Sequence, residues 1–346
     1  MRLPDPQERT TWMTPGQYQL SAEPTIGSLA WTALDPRQPE RDEVLVRVEA
    51  SSLNFHDYLV VAGTLKAPAG RIPLSDGVGI VEACGPDVSR FAPGDRVVGT
   101  FFPDWIDGAP TRGAVSRMRG DHVDGFAATH VTLSETSFVR APAGLSAVES
   151  ATLPCAALTA WRALMVEGGV GPGETVLVQG SGGVALFALQ FARMAGARVI
   201  ATSGSPEKVE RLKALGACHV IDRTEAGWGE AVRKLSDGGV DHAVEVSGGD
   251  LSQSLKALRT GGHLCLVGVL SRKPIEFPPA EMIHPNRRIT GITVGSRQHL
   301  SAMITAIEMH QLRPQIDSVF SLADLPKAFA CFKAQQHFGK IAITFG

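Results

Sequence analysis

The sequence predicts an α/β protein in which a β-rich first part precedes a doubly wound, parallel six-stranded sheet. Short strands separated by Gly and Pro dominate residues 44–101, and strands alternate regularly with helices over residues 175–294. With 346 residues the chain also exceeds the size at which a single core stops growing, and this length favours two domains.

The first part is predicted to form a partly closed sheet or barrel. Apolar residues alternate over 44–50 as in a half-buried strand, and segments 77–85 and 95–101 read as further strands. Residues 101–125 have no hydrophobic period and contain several Gly and Pro residues, which predicts a long loop. Long loops in compact domains often carry function, so this loop is a candidate functional segment.

The second part follows a predicted helix at 153–164. Its predicted strands are 175–180, 198–203, 219–223, 241–248, 263–269 and 288–294, and its predicted helices are 183–196, 206–216, 228–236 and 251–260. We expect the remaining tail to form a helix, a loop and a last strand at 340–345. Six strands already complete a dinucleotide-binding sheet, so the tail is predicted to return to the first domain. The expected domains are therefore 1–155 completed by 296–346, and 156–295.

Composition excludes several classes of function. The chain is 44% hydrophobic with a formal net charge of -2, without the basic excess that nucleic acid or an acidic membrane surface favours. Its longest apolar runs are far shorter than the roughly 20 residues that span a bilayer, and we expect a cytoplasmic protein. The five cysteines form no C-x-x-C pair, so neither a disulfide framework nor a zinc ribbon is indicated.

A glycine-rich hexapeptide between a predicted strand and a predicted buried helix indicates a dinucleotide site. The segment matches G-x-G-x-x-G/A, in which glycines permit a tight turn and close approach of the backbone to a pyrophosphate. Its predicted cofactor-binding residues are Gly180, Ser181, Gly182, Gly183 and Val184. The pyrophosphate would sit on the N-terminus of the helix that follows.

The end of the second strand of this unit predicts NADP(H). An Asp or Glu there would bind the ribose hydroxyls of NAD, whereas this chain has Ser203, Gly204 and Ser205, followed by Lys208 and Arg211. Small hydroxyls, backbone N–H groups and a cation would accept a 2′-phosphate. The structural alternative is that Ser205 caps the next helix and Lys208 is a solvated charge.

The heptapeptide "SLNFHDY", residues 52–58, is the second candidate site. Asn54, His56 and Asp57 lie within four residues, and locally they fit a metal site, a proton relay or an ordinary polar turn. The heptapeptide alone does not decide between these readings.

The chain resembles the medium-chain dehydrogenase/reductase superfamily, and within it the zinc-free quinone oxidoreductase-like and alcohol dehydrogenase-like members. The resemblance covers nearly the whole chain, in the order "SSLNFHDYLVVAG", "IPLSDGVGIVEACGPDV", "FAPGDRVVGTF", "ATLPCAALTAWRAL", "GETVLVQGSGGVALFALQFARMAGARVIAT" and "FGKIAITF". It implies a GroES-like catalytic domain, a Rossmann domain and an active site in the cleft between them.

The resemblance also implies that this chain binds no zinc. The three catalytic zinc ligands of the superfamily's alcohol dehydrogenases match Asn54, Ser75 and Cys155, so one thiol of three ligands survives. An Asn amide and a Ser hydroxyl do not normally replace thiolate or imidazole on zinc. The superfamily's cysteine-rich structural-zinc lobe is replaced here by the 101–125 loop.

Further residues are carried over from the resemblance to the cofactor. Thr159 is implied at the nicotinamide end, and Lys340 near the pyrophosphate. The turn implied beside the nicotinamide consists of Val267, Gly268 and Val269. Each has a structural alternative, as strand core for the valines and as a solvated edge charge for Lys340.

The predicted catalytic residues are Asn54, His56 and Tyr58. Asn54 could donate a hydrogen bond to an oxyanion, and His56 matches the Ser or Thr of the superfamily's proton relay. His56 could equally be a cofactor contact that moves no proton, and Tyr58 could be packing. Asp57 is expected to orient His56 or cap a turn. An apolar substrate pocket is predicted from Phe101, Phe102, Trp105 and Phe126, with burial under the loop as the alternative.

The leading functional prediction is a zinc-independent NADP(H)-dependent oxidoreductase that reduces a quinone, an enone or an activated carbonyl. The alternatives are a reversible alcohol dehydrogenase using the same site, and a cofactor-binding scaffold or sensor with little turnover. The superfamily tyrosine of a "GTY" motif is absent here, where residues 63–65 read "GTL", and this weakens an enoyl reductase assignment. The resemblance also implies a homodimer that pairs through strand 288–294.

Overall fold

The computed structural model describes residues 14–268, 270–271 and 273–346. Two main sheets organise these residues, one mostly antiparallel and one wholly parallel. None of the described helices is long and apolar enough to cross a membrane.

The first sheet is built largely from the first part of the chain. Its strands and the small ribbon beside it begin with β1 (Gly16–Gln19), β2 (Ala30–Ala33), β3 (Glu43–Ser52), β4 (Val78–Cys84), β5 (Arg96–Gly99), β6 (His130–Ser134) and β7 (Phe138–Arg140). The ribbon is β1-β2, and β3 is the centre of the larger sheet because it pairs with β4, with β6 and with the last strand of the chain. The helix α1 (Phe55–Val61) follows β3 directly.

A helical passage connects the two sheets. It consists of α2 (Ala147–Ser150), a π-helical turn Leu153–Ala157, α3 (Leu158–Trp161) and a second π-helical segment Arg162–Gly168. The helix predicted over 153–164 is therefore present, but much of it is wound more loosely than an α-helix. Such π segments are rare and occur often at functional sites.

The parallel sheet confirms the predicted doubly wound class. Its strands are β8 (Thr175–Gln179), β9 (Arg198–Ser203), β10 (His219–Asp222), β11 (Val240–Glu245), β12 (Leu258–Leu266) and β13 (Arg288–Gly291). They lie in the order β10-β9-β8-β11-β12-β13, with every pairing parallel. The order reverses between β8 and β11, and the carboxyl ends of these strands are where this fold binds ligands.

Helices cover the parallel sheet. They are α4 (Gly183–Met194), α5 (Val209–Ala214), α6 (Trp228–Leu235), α7 (Ser252–Ala257), α8 (Ala280–Ile283) and, after the sheet, α9 (Arg297–Met309). Every residue of β8 is buried, and α4 buries seven of its twelve residues. A strand that is buried on both faces and an apolar helix that packs against it both need apolar residues. This explains the succession of apolar strands and helices in the sequence.

The tail departs from its prediction. Between α9 and the last strand the structure adds β14 (Ile316–Ser321) and α10 (Leu325–Lys333) before β15 (Lys340–Thr344), where a loop was predicted. β15 pairs with β3 and β14 pairs with β15, so the tail joins the first sheet.

The predicted helix 251–260 is wrong over 258–260, which belong to β12. The three residues are compatible with a helix, but they form part of β12 because strand pairing outweighs their local helix propensity. The domain boundaries at 155 and 295 stay predictions.

Candidate active site between the two sheets

The glycine turn lies between β8 and α4, at the point where the strand order reverses. Gly180 has a φ of +81°, which favours glycine, and Gly182 is the N-cap of α4. A Cβ added to either residue would meet nothing within 4 Å. The turn therefore leaves open space in front of the free N–H groups of α4, which suits a pyrophosphate. Ser181 and Val184 complete this half-buried segment.

The glycine turn is attached to the start of β15. Gly339 donates its N–H to the Ser181 carbonyl at 2.9 Å, and Gly182 forms a β-bridge with Gly339. A Cβ on Gly183 would lie 2.6 Å from Cδ of Lys340 and 3.1 Å from Cβ of Ala156. The Lys340 side chain therefore passes directly against Gly183, and only glycine leaves it room.

Lys340 carries its ammonium from the glycine turn into the "SLNFHDY" segment. Its Nζ donates to the Leu53 carbonyl at 2.7 Å and to Oδ1 of Asn54 at 2.5 Å, and it lies 3.5 Å from Oδ2 of Asp76. The Lys340 side chain is only 3% exposed. A buried charge needs such partners, and here they join the two predicted sites into one.

Two buried carboxylates surround Asn54. Asp76 accepts hydrogen bonds at Oδ2 from the Ser52 hydroxyl at 2.5 Å and from Nδ2 of Asn54 at 2.8 Å. Asp57 accepts from the backbone N–H of Asn54 at 2.9 Å and of Ser75 at 2.8 Å. Burial raises the pKa of Asp57 and of Asp76 to about 6, opposed by hydrogen bonds and by the Lys340 ammonium. Asp57 thus caps the turn, and its carboxylate orients Asn54 and Ser75.

The donor set at this place does not fit a catalytic zinc ion. Asn54 gives both Nδ2 protons to protein acceptors, Ser75 Oγ at 3.2 Å and Asp76, while its Oδ1 accepts from Lys340. Burial raises the pKa of the Cys155 thiol well above its usual value. No group of three His, Cys, Asp or Glu side chains suited to a metal occurs among the described residues. The same bonds leave Asn54 no free N–H for the oxyanion role predicted from the sequence.

His56 lies on α1 beside a turn of the long loop. Its Nε2 is 3.9 Å from Oδ2 of Asp121, the same oxygen lies 3.2 Å from Nδ1 of His122, and the Phe101 ring packs 5.4 Å from the imidazole. The pKa of His56 lies below its ordinary value. Burial is the largest cause, Asp121 opposes it by raising the pKa, and His122 adds a smaller lowering. Tyr58 instead packs near Phe55 and Phe332, at ring distances of 6.0 and 6.1 Å.

Aromatic side chains extend from His56 along the loop. Phe101 packs edge-on against Phe102 at 4.8 Å, Phe102 lies 6.0 Å from Trp105, and Trp105 lies 5.9 Å from His299. A cavity of about 380 Å³ lies at the Trp105 end, with Arg162 and Glu167 in its wall. Phe126 does not join this row, because it packs against Gly77, Gly99 and Phe138 in the core.

Comparison with known proteins decides the family. The chain matches the alcohol dehydrogenase GroES-like domain family over residues 40–143 and the zinc-binding dehydrogenase family over residues 183–309. A zinc-type alcohol dehydrogenase-like protein of Schizosaccharomyces pombe is 38% identical over 89% of this chain and 92% of its own length. The chain belongs to the medium-chain dehydrogenase/reductase superfamily. The predicted GroES-like and Rossmann folds are thereby confirmed.

Two further comparisons place the chain among oxidoreductases of this superfamily. Human quinone oxidoreductase is 30% identical over 84% of this chain and 85% of its own length. A crystal structure described as an alcohol dehydrogenase from Sinorhizobium meliloti 1021 superposes with a TM-score of 0.89 at 40% identity, covering 96% of this chain and 99% of that one. Superfamily members bind a nicotinamide dinucleotide, act on small molecules and commonly form oligomers.

The residues predicted for the adenosine end, Ser203 and Gly204, lie beside a cation that was not predicted from the sequence. A Cβ on Gly204 would lie 3.3 Å from Nε of Arg223, whose backbone N–H donates to the Ser203 carbonyl at 3.0 Å. Lys208 instead gives its ammonium to the His337 carbonyl at 3.0 Å, and Arg211 covers the Phe338 ring at 3.9 Å. Burial lowers the pKa of Lys208, which is 8% exposed.

The serines of this end bond locally. Ser203 is buried, and its hydroxyl accepts from the Ser205 N–H at 3.1 Å. The Ser205 hydroxyl pairs with Glu207. Ser205 therefore occupies the N-cap position of the Pro206–Lys208 turn without capping it through its side chain.

The residues predicted at the nicotinamide end place backbone groups and small side chains close together. Thr159 is 4% exposed and donates its hydroxyl to the Cys155 carbonyl at 2.7 Å. Val267 donates its N–H to the Glu245 carbonyl at 2.9 Å, and Gly268 lies so close to Val246 that a Cβ would be 2.2 Å from its carbonyl oxygen. Val269, the third residue predicted for this turn, lies outside the described residues.

Three residues beside the candidate site, Asp76, Asp121 and Arg223, were not predicted from the sequence. Asp76 lies next to Ser75 and two residues before the apolar strand β4, so a charge in an otherwise apolar context was the available signal. Arg223 immediately follows β10, the strand next to β9. Asp121 lies in an aperiodic loop, and no local pattern distinguishes it from its neighbours.

Proposed function

We propose that the protein is a zinc-independent, NADP(H)-dependent oxidoreductase that reduces a quinone, an enone or an activated carbonyl compound. The observation that supports it best is the position of the Lys340 ammonium, which bonds to Asn54 and lies 3.5 Å from Asp76. A fixed organic cation at this place leaves metal-free reduction as the chemistry that the site supports.

Each part of the cleft then has a defined task. Gly180 and Gly182 keep space for the pyrophosphate at the N-terminus of α4. The bound cofactor supplies the hydride. Lys340 packs against the glycine turn and bonds to Asn54. It therefore fixes the distance between the cofactor site and the Asn54 side of the substrate site. His56 provides the proton that the developing oxyanion needs, and Phe101 excludes water beside it.

Turnover tests this proposal directly. NADPH oxidation is measured against quinones, enones and aldehydes, with the wild type and His56→Ala side by side. We expect reduction of at least one class and a kcat lowered by about 100-fold in the variant, because general acid catalysis contributes factors of that order. NADP⁺ reduction by simple alcohols would favour the alcohol dehydrogenase alternative. Tight NADPH binding without turnover would favour the scaffold or sensor role.

NADP(H) preference is supported by Arg223, an exposed guanidinium beside Gly204. A charge-assisted bond to a 2′-phosphate predicts that Arg223→Ala weakens NADPH binding about tenfold and leaves NADH binding unchanged. Arg211→Ala is the matched control, since this arginine covers Phe338. Wild-type protein that binds NADH more tightly than NADPH would contradict the preference.

Zinc independence has a separate measurement. Elemental analysis of purified protein should find zinc far below one ion per chain, and activity should survive treatment with a chelator. The physical reason is that a metal would have to displace the buried Lys340 ammonium and gain only one thiol ligand, Cys155. Stoichiometric zinc would contradict this part of the proposal and leave the NADPH chemistry standing.

A homodimer through β13 completes the proposal. Among the strands of residues 14–268 and 273–346, β13 is the last in the order of the parallel sheet, so its outer backbone edge could pair with a second copy. Ile283, in the helix α8 that precedes β13, is 75% exposed. Light scattering should give the mass of two chains for the wild type, and Ile283→Asp should shift the equilibrium towards one chain.

A further inference from the structure

Asp121 is a buried carboxylate whose charged partners are two histidines. Its side chain is 7% exposed, and within the described part of the chain its polar contacts are with Nε2 of His56 and Nδ1 of His122. Backbone N–H groups or an arginine usually compensate such a carboxylate. Here the compensating charge must come from an imidazole, and an imidazole is charged only while it holds a proton.

The two histidines differ in exposure. The His56 side chain is 15% exposed but its Nε2 is buried without a hydrogen-bond partner, whereas the His122 side chain is 46% exposed. Both face the same carboxylate oxygen, Oδ2 of Asp121. The three groups thus form a row that begins at the candidate active site and ends in solvent.

The backbone holds this row in place. His122 and Val123 both donate their N–H groups to the Met118 carbonyl, at 3.0 and 3.1 Å, and this closes a tight turn around Asp121. Arg119 donates its N–H to the carbonyl of Phe101, the residue whose ring packs on His56. Phe101 therefore contacts both the turn and the His56 imidazole, and this keeps Asp121 opposite His56.

We propose that Asp121 and His122 form the path along which His56 regains its proton from solvent. The inference rests on the proposed function, in which His56 gives one proton to the substrate oxygen. The O–H bond formed there breaks one N–H bond of His56. The His56 imidazolium becomes a neutral imidazole in that step. A hydronium ion or buffer acid from solvent protonates His122, the His122 imidazolium gives a proton to the Asp121 carboxylate, and the resulting carboxylic acid gives it to Nε2, the nitrogen that His56 had vacated. Overall, one proton moves from solvent to the substrate oxygen. A side-chain rotation or one water closes the 3.9 Å gap between Nε2 and Oδ2.

Asp121 and His122 act through His56, so the test needs readouts that a structural role would not move. His122→Gln should lower kcat about tenfold in dilute buffer, and added imidazole buffer should restore it because its imidazolium form can donate protons in place of the exposed end of the path. Asp121→Asn should lower kcat at least as much and should not respond to imidazole. Single-turnover hydride transfer should remain unchanged in His122→Gln, which leaves the Asp121 carboxylate beside His56. His310→Gln, at an exposed histidine after α9, is the matched control.

Titration of His56 by NMR separates failure of this inference from failure of the proposed function. The charged groups that act on His56 are Asp121 and His122, both from the 118–123 turn. Asp121→Asn should lower the pKa of His56 in protein without substrate. An unchanged His56 titration, or variants that match His310→Gln in kcat, buffer response and pH profile, would overturn the inference. Absence of turnover in the wild type would instead overturn the proposed function, and the titration would still decide the path.

Discussion

Two buried carboxylates near α1, Asp76 and Asp121, have different kinds of cation beside them. Asp76 lies beside the Lys340 ammonium and accepts bonds from Ser52 and Asn54. The charged groups beside Asp121, within the described part of the chain, are the imidazoles of His56 and His122. A lysine at neutral pH is a permanent charge, whereas an imidazole gains and loses its proton near that pH. The pair of Asp76 and Lys340 suits a part of the site that stays rigid, and the group of Asp121 with its two histidines suits a part that must move protons.

Removing the permanent cation should have the largest effect. Lys340→Met leaves the carboxylates of Asp57 and Asp76 buried without their ammonium, and loss of one partner of a buried pair costs about 3–5 kcal/mol. Denaturant unfolding at pH 7 measures the free energy of unfolding. The double variant Lys340→Met/Asp76→Asn should recover most of the loss because it removes the unpaired charge. A loss below about 1 kcal/mol in the single variant would show that the ammonium does not neutralise the site.

The pH dependence of stability should distinguish Asp76 next. Burial raises its pKa from 3.8 to about 6, so the folded protein binds its proton more tightly than the unfolded chain does. The free energy of unfolding of the wild type, relative to Asp76→Asn, should therefore fall as pH rises from about 4 to 6 and stay constant above. The size is about 1.4 kcal/mol per unit of pKa difference. A relative stability that rises over this window would give the shift the opposite sign.

Neighbouring glycines provide the smallest and most selective test. Gly183→Ala places a Cβ 2.6 Å from Cδ of Lys340, so it should push the lysine from its bonds and cost about 1–3 kcal/mol. Gly182→Ala meets nothing within 4 Å and has a φ of -81°, so the unfolding free energy should stay within about 0.5 kcal/mol.

Cofactor binding separates the same two glycines again. The Gly182 Cβ would occupy the space kept for the pyrophosphate, and we expect NADPH to bind at least about tenfold more weakly to that variant. Calorimetric titration measures this affinity. Equal stability of the two alanine variants would show that Lys340 is not held by close packing at Gly183.

The strands and helices of the parallel sheet follow from local patterns. Each strand of that sheet was predicted because buried parallel strands and their helices repeat at short range along the chain, and Gly180 and Gly182 could be placed on the turn after β8. The tail could not be predicted in the same way. β14 alternates half-buried and exposed residues at a sheet edge, so its signal is weak until β15 is present to pair with it.

By itself, the sequence determined the α/β class and placed a glycine-rich turn between a strand and a helix, because these depend on residue types at short spacings. The loss of two of three zinc-ligand positions was implied by the resemblance to the superfamily. Only the tertiary structure decided what stands beside Asn54 and His56. Lys340 reaches Asn54 across 286 positions of chain, and Asp121 reaches His56 from a loop without a periodic pattern. Electrostatic pairing depends on distance in space and on burial, and neither can be read from the order of residues. The "SLNFHDY" segment therefore became interpretable only when its cation and its carboxylate were found.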